Sequence, residues 1–480
     1  MSRNHKISRR TLLGAAGAAG GALILDGFLG LRHASADVFN PDTAPLLVMC
    51  EFANGWDTLY CLDPRNNQDF GDPAGGIYTG FDMVTDGPTA ATIDETGGTG
   101  LVKPIGSEVA FGPTMSNLAK AHFNDLCVVR GLNMGTLTHE VGRRYFLTGK
   151  FPRGLAASGS SLETWWAAAS GLLDAHQIPN LVGGGAETYN EGLSPLASGL
   201  SVPSYNEMLQ VLRPLNASVG LDGNVEHAAA KLHQGDYCLH QQFNRAGANV
   251  STHVSAWTSA QSLANGGLWK YFDFKPNPPP GSQLAKLYAT FGANPANPAL
   301  TLSGKPRGQA ALAAQALVNR ISQVVLLRLV SVTDAHFDDD WPSNHPAQQR
   351  AGFDAVSDLI TYLKNTEDKN GASFWDRTTL LCFSEFARTP KINQQGGRDH
   401  HLASACLVAG KGIRGNQAIG GTKDTNYDSR PVNLDTGFAD DDMGTLIRPS
   451  DVHATLLTAA GLPYDHISNQ SPKLIKAMLK

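Results

Sequence analysis

Gln323 to Val332 reads QVVLLRLVSV and runs without interruption into Thr333-Asp334-Ala335-His336. A short, almost wholly apolar run rich in valine and leucine is the pattern of a strand buried on both faces, as in a parallel sheet. The acid and the imidazole come where that strand stops. Two other stretches repeat the arrangement. Thr378 to Phe383, TTLLCF, leads into Ser384-Glu385-Phe386-Ala387-Arg388-Thr389, and Pro45 to Phe52, PLLVMCEF, leads into Asn54-Gly55-Trp56-Asp57. A fourth apolar run, Ala403 to Ala409, is preceded by Asp399-His400-His401. Open α/β sheets place their ligand sites at the carboxyl ends of the strands. The sequence therefore predicts carboxylates and imidazoles gathered at one edge, a set that suits a divalent metal and points to a metal-dependent hydrolase.

The surrounding sequence supplies the helices that such a sheet needs. Ala351 to Thr366 carries Phe353, Val356, Leu359, Ile360 and Leu363 on one helical face and joins two of the strands, which makes a strand–helix–strand crossover. Further helices are expected near Thr114–His122, Ser161–His176, Gly281–Phe291, Gly308–Ile321 and Val452–Gly461, with a strand at Leu126–Gly131. The expected fold is α/β, a mostly parallel central sheet sandwiched between helices. Residues 37–480 are read as one domain with an irregular insertion over about 151–306.

Residues 1–36 read as an export signal. Ser8-Arg9-Arg10-Thr11-Leu12-Leu13 is a twin-arginine motif, a glycine- and alanine-rich apolar stretch follows, and Ala34-Ser35-Ala36 fits a cleavage site. The expected destination is the bacterial periplasm or beyond, through the twin-arginine export machinery. No later segment is apolar for long enough to span a membrane. Loss of five basic residues and one acid with the signal would take the net charge from −5 to −9. That balance, with no basic run interleaved with aromatics, excludes a nucleic-acid partner.

Of six cysteines, Cys50, Cys127, Cys382 and Cys406 lie in apolar runs and read as small buried hydrophobes. Cys61 and Cys238 lie in irregular sequence and could pair. Gly410-Lys411-Gly412-Ile413-Arg414-Gly415 has the spacing of a dinucleotide-binding turn, but no helix opens there, so it reads as a glycine-rich loop beside the site. The acidic triplets at 338–340 and 440–442 read as solvated loops. His345 is a candidate ligand or supporting group, His401 a candidate for orienting His400, and His453 a structural residue.

Thr138-His139 lies a few residues beyond the strand at Leu126–Gly131 and just before a helical stretch. Thr138 can be an N-cap, or a nucleophile with Arg143 or Arg144 gripping an anionic substrate.

Taken in order, Asn54-Gly55-Trp56-Asp57, Thr138-His139 with Thr148-Gly149, Thr333-Asp334-Ala335-His336, Glu385-Phe386-Ala387-Arg388 and Arg398-Asp399-His400 resemble a twin-arginine-exported bacterial family, domain of unknown function 1501. That family is related to the sulfatase and alkaline-phosphatase superfamily. The resemblance implies an alkaline-phosphatase-like fold with one or two divalent ions, zinc, calcium or manganese. By position it implies Asp57, Asp334, His336, Glu385, Asp399 and His400 as metal ligands. Thr138 would stand at the nucleophile position, or His139 if no residue is inserted, with Arg143 and Arg388 balancing oxyanion charge. The sequence departs from the superfamily in having Phe386 rather than histidine after Glu385, and in lacking the sulfatase cysteine near Thr138. The expected function is hydrolysis of phosphate or sulfate esters, on a small anionic ester or a cell-surface polymer. The alternative is a non-catalytic exported binding protein that retains part of the site.

Overall fold

A computed structural model describes residues 39–83, 99–154, 156–213, 267–332, 334–338, 341–342 and 344–480. The stretch read as an export signal, Thr333, Asp339, Asp340 and Cys238 lie outside the described residues. The described residues form ten strands: β1 (Leu46–Ala53), β2 (Leu126–Asn133), β3 (Asn180–Gly183), β4 (Leu200–Val202), β5 (Val324–Ser331), β6 (Thr378–Phe383), β7 (Ala387–Arg388), β8 (His400–His401), β9 (Ala403–Gly410) and β10 (Gln417–Gly420). Eight of them make one sheet in the order β10-β2-β9-β6-β1-β5-β3-β4, and β7 pairs with β8 beside it. The longer helices are α1 (Ser116–His122), α2 (His139–Thr148), α3 (Leu162–Ala169), α4 (Tyr205–Leu212), α5 (Gln283–Thr290), α6 (Pro306–Val318), α7 (Asn344–Lys364) and α8 (Pro449–Ala460).

Alternation along β1 shows why both faces are covered. Leu46, Val48, Cys50 and Phe52 join a core with residues of α1, α4, α5, α6 and α7. Leu47 and Met49 join a second core with residues of α2, α3 and α8. A strand with every residue buried has no polar face to turn to water, and each large side chain contributes roughly 1.5–3 kcal/mol by leaving it. The fold is therefore α/β, with a mostly parallel central sheet between two helical layers. Helix limits follow local chemistry: α8 opens on Pro449 and closes on Gly461 in a left-handed cap.

Several expectations need adjustment. The stretch 151–306 does not stand apart from the sheet, since it contributes β3 and β4. The helix expected over Ser161–His176 stops at Ala169, followed by a short turn of 3-10 helix at Leu173–Ala175. The crossover helix starts earlier than its apolar face, at Asn344, with Pro346 in its first turn.

The larger difference concerns direction. Every strand pairing in the large sheet is parallel except the two made by β9, which runs antiparallel to β2 and to β6. The start of β9 therefore lies at the edge where β1, β2, β5 and β6 end. This reversal brings a segment that precedes a strand to the same edge as segments that follow strands. It also moves the glycine-rich loop away: Gly410 pairs with Thr379 at the beginning of β6, so Gly410–Gly415 lies at the opposite edge from the site. A side chain there is excluded, because a Cβ on Gly410 would lie 2.0 Å from the Thr378 carbonyl oxygen.

Cys50, Cys127, Cys382 and Cys406 are buried in strands as expected, and Cys61 is buried too. Burial pushes the Cys127 thiol up to about 12. Glu163, in the first turn of α3, is also buried, with Ser161 and Thr188 hydroxyls donating to one carboxylate oxygen. Burial, only partly offset by these donors, pushes it from 4.5 up to about 7. The folded state therefore holds a proton that the unfolded chain releases earlier. This contribution to stability is fully present below about 4.5 and is lost as the pH rises through about 7. Glu163→Gln should flatten that limb. Urea unfolding at pH 5 and pH 8 is expected to differ less in the variant than in the wild type, by on the order of 2 kcal/mol; an unchanged difference would count against the protonated carboxyl.

A candidate metal centre at the carboxyl edge of the sheet

Four chain segments meet where the parallel strands end and β9 begins. The β5 segment brings Asp334 and His336, the β6 segment Glu385 and Arg388, and the approach to β9 brings Asp399 and His400. The loop beyond β2 opens α2 and brings His139 as its first residue.

Three imidazoles are each held through Nδ1. His139 Nδ1 lies 2.8 Å from Glu385 Oε1, His336 Nδ1 2.8 Å from Asp399 Oδ1, and His400 Nδ1 2.6 Å from the Leu137 carbonyl oxygen. Each partner is an acceptor, so each Nδ1 carries the proton and each neutral ring presents its Nε2 lone pair. Those three Nε2 atoms face Asp334. His336 Nε2 is 3.2 Å and His400 Nε2 3.6 Å from Asp334 Oδ1, and His139 Nε2 is 3.8 Å from Oδ2. His336 and His400 approach each other through Nε2 at 3.0 Å. Two lone pairs at that distance repel unless a proton or a cation lies between them. Ligands about 2.0–2.1 Å from a tetrahedral zinc ion stand about 3.3 Å apart, close to the spacings here. One ligand atom each from His139, Asp334 and His400 lies within 4.8 Å of the others, so the group can hold a metal ion.

The charge balance favours the same occupant. Asp334, Glu385 and Asp399 oppose the one guanidinium of Arg388, which donates to Asp334. Arg143 is drawn off by Glu51 at 2.8 Å and Glu187 at 2.9 Å, and stands 3.6 Å from Glu385. Burial opposes the charged form of Asp334, but the nearby His139 and His400 rings and the Arg388 guanidinium hold its carboxyl far below the usual range. Burial likewise opposes ionisation of Glu385, and the His139 hydrogen bond and Arg143 charge outweigh it. Burial disfavours a charge on His139, yet the Asp334 carboxylate facing it and its hydrogen bond to Glu385 push it up to about 9.

The structure thus brings together His139, Asp334, His336, Glu385, Asp399 and His400. Glu385 and Asp399 stand behind the rings as acceptors that orient them, as partners behind metal-binding histidines do. Asp57 is not in the group. Its two oxygens accept from Arg398, Trp341 and the Leu59 amide. Arg143 and Arg388 are tied into ion pairs rather than turned toward an anion. Thr138 occupies the N-cap position of α2, but its exposed side chain makes no capping bond. His345 is buried and accepts from the Asp57 amide at 3.0 Å. His401 bonds to Ala403 at the start of β9 and to the Asn426 carbonyl, so it does not orient His400. His453 is buried in α8, as a structural residue would be.

The sequence reading overlooked Glu51, Arg398 and the Leu137 carbonyl. Glu51 was visible as the one charge inside PLLVMCEF, and Arg398 as the neighbour of Asp399. A main-chain acceptor leaves no mark in a sequence.

The family model described as "Protein of unknown function (DUF1501)" matches residues 102–470. No curated protein matches. Among solved structures, Ps i-CgsB in complex with k-i-k-neocarrahexaose is 12% identical, with 91% of this chain and 75% of that chain covered and a TM-score of 0.36. The PsFucS1 sulfatase from Pseudoalteromonas sp. is 12% identical, with 92% and 71% covered and a TM-score of 0.33. BT4656 in complex with its substrate D-glucosamine-2-N,6-O-disulfate is 10% identical, with 91% and 80% covered and a TM-score of 0.32. Similarity of this order assigns no activity.

In metal-free protein the His139 ring should titrate near 9 by NMR. Glu385→Gln removes the buried carboxylate and should lower that value by one unit or more. A ring that titrates near 6.5 in the wild type would contradict the pairing.

Proposed function

We propose, for a chain that belongs to the DUF1501 family of proteins of unknown function, that the cluster is the active centre of an exported metal-dependent hydrolase of phosphate or sulfate esters. The observation that carries this reading is the convergence of three Nε2 atoms on Asp334, each ring fixed from behind by an oxygen acceptor. His139, His336, His400 and Asp334 would hold the ion. Three imidazoles and one carboxylate suit zinc better than calcium, which takes oxygen ligands. When bound, the ion supplies Lewis acidity toward an ester oxygen.

The chain's own groups account for the rest. Glu385 accepts from His139 Nδ1 and so fixes the ring with Nε2 turned toward Asp334. Thr138 is the proposed nucleophile. Its hydroxyl is exposed beside His139 at the start of α2, where unpaired first-turn amides favour negative charge. Arg388 holds Asp334 and does not meet the substrate. The twin-arginine motif and Ala34-Ser35-Ala36 support export to the periplasm or beyond. No helix among the described residues is long and apolar enough to cross a membrane. A small anionic ester or an anionic cell-surface polymer is the proposed substrate.

One observation favours the non-catalytic reading. Arg143 and Arg388 are both consumed in ion pairs, so neither is open to an anionic ester. Metal content and turnover together separate the readings. Purified wild type is expected to carry stoichiometric zinc, and Asp334→Ala or His400→Ala to lose most of it while remaining folded. A screen of phosphate and sulfate esters with added zinc, manganese or calcium should reveal turnover; bound metal with no turnover on any ester would favour the binding protein. On the ester found, Thr138→Ala should reduce turnover at least 100-fold. Because no capping bond is lost, stability should change by less than about 0.5 kcal/mol. Retained turnover would remove Thr138 as the nucleophile.

A further inference from the structure

We infer that Asp57 and Arg398 form a buried positioning pair that sets the two loops carrying Asp334, His336, Asp399 and His400, and that Asp57 is not itself a metal ligand. The inference rests on the metal centre proposed above.

The Asp57 carboxylate has no free acceptor direction. Oδ1 accepts from the Leu59 amide at 3.0 Å and from Arg398 Nη1 at 3.2 Å. Oδ2 accepts from Arg398 Nη1 at 2.9 Å and from Trp341 Nε1 at 3.0 Å. A carboxylate offers about four acceptor positions, and here each is met. The Asp57 main chain is fixed as well, by His345 and Gln349 of α7.

Arg398 is confined through its two terminal nitrogens, while its buried Nε has no hydrogen-bond partner. Its side chain is inaccessible to solvent. The second terminal nitrogen donates to the Tyr78 and Thr79 carbonyls, and the guanidinium lies 4.3 Å from the Trp341 ring centroid and 5.7 Å from that of Tyr60. Its main chain is what reaches the centre. The Arg398 amide donates to the Ala335 carbonyl at 2.5 Å, between Asp334 and His336, and its carbonyl accepts from Arg388 at 3.3 Å. Asp399 and His400 are the next two residues. Gly397 permits this approach, since a Cβ there would lie 2.2 Å from the His336 carbonyl carbon. The ion pair thus anchors one residue whose main chain ties the two ligand loops together. Displacing Arg398 would move both loops at once.

The two roles for Asp57 predict opposite effects of removing its partner. A ligand freed from Arg398 would bind metal as well or better, whereas a positioning pair fails when either member is lost. Metal-free mature protein is titrated with zinc against a chelator and with cobalt(II), whose visible spectrum reports ligand geometry. Asp57→Asn and Arg398→Gln are each expected to weaken zinc by roughly 10- to 100-fold and to alter the cobalt spectrum. The double variant should be no weaker than the worse single. Arg398→Lys keeps a charge opposite Asp57 and should fall between, which preserves the test if Arg398→Gln does not fold. Asp63→Asn is the control, a buried acid paired with Arg65 and Arg130; it should lower Tm without moving metal affinity. Unchanged or tighter zinc binding in Arg398→Gln overturns the inference, as does an equal loss in Asp63→Asn. If the wild type binds no metal, the proposed centre fails separately. The pair is then judged by the His336 and His400 ring resonances of metal-free protein, which Asp57→Asn should shift and which overturn the inference if they stay in place.

Discussion

The carboxyl edge is organised around a guanidinium that water does not reach. Arg388 donates through Nε to the Gly55 carbonyl, through Nη2 to the Asn54 carbonyl and to Asp334, and through Nη1 to the Arg398 carbonyl. Leaving a buried donor unpaired typically costs about 1–3 kcal/mol, so each of these acceptors is constrained in position. Together they define the turn after β1, the segment after β5 and the approach to β9. The turn after β1 is shaped for this purpose. Asn54 and Gly55 both have positive φ, 75° and 74°, which aims their carbonyls at Arg388 while the Asn54 amide donates to Glu385. A side chain at position 55 would also lie 2.4 Å from the Phe386 ring. One cation therefore fixes Asp334 and the loops around it, while Glu385, Asp399 and the Leu137 carbonyl each fix one imidazole.

This arrangement separates two kinds of carboxylate. Asp57 and Glu51 are buried and neutralised by arginines, and serve the framework. Asp334 and Asp399 are about half exposed and stand at the open side of the cluster. Glu385 lies between these classes, inaccessible to solvent but bonded to a ring that faces outward. Burial thus separates the acids that hold the loops from those at the cluster, where Asp334 faces the Nε2 atoms and Asp399 stands behind His336.

The sequence made much of the fold legible because burial on both faces of a strand is a local property. QVVLLRLVSV, TTLLCF and PLLVMCEF became β5, β6 and β1, and the crossover helix followed from its apolar face. The direction of β9 was not legible, since an apolar run reads alike whichever way it is laid into a sheet. Asp399-His400 was nevertheless singled out beside a strand, and the reversal explains why residues before β9 reach residues after β5 and β6. The partners of the acids were beyond reach for a similar reason. Asp57 meets Arg398 across 341 positions, and no spacing rule distinguishes that pairing from a free carboxylate. At Thr138 the helix start was legible, but the absence of a capping bond depends on a rotamer.

The buried thiols carry a consequence for the history of each molecule. Cys50 and Cys382 are direct partners across β1 and β6, while Cys127 and Cys406 face the second core. Closed within the sheet, all four are protected by exclusion of water, and burial raises the pKa of Cys127, Cys382 and Cys406. Before closure they are accessible sulfurs on an unfolded chain, open to oxidation and to random cross-linking. For these four sulfurs, shelter therefore begins only when the sheet has closed, and it lasts as long as the sheet does.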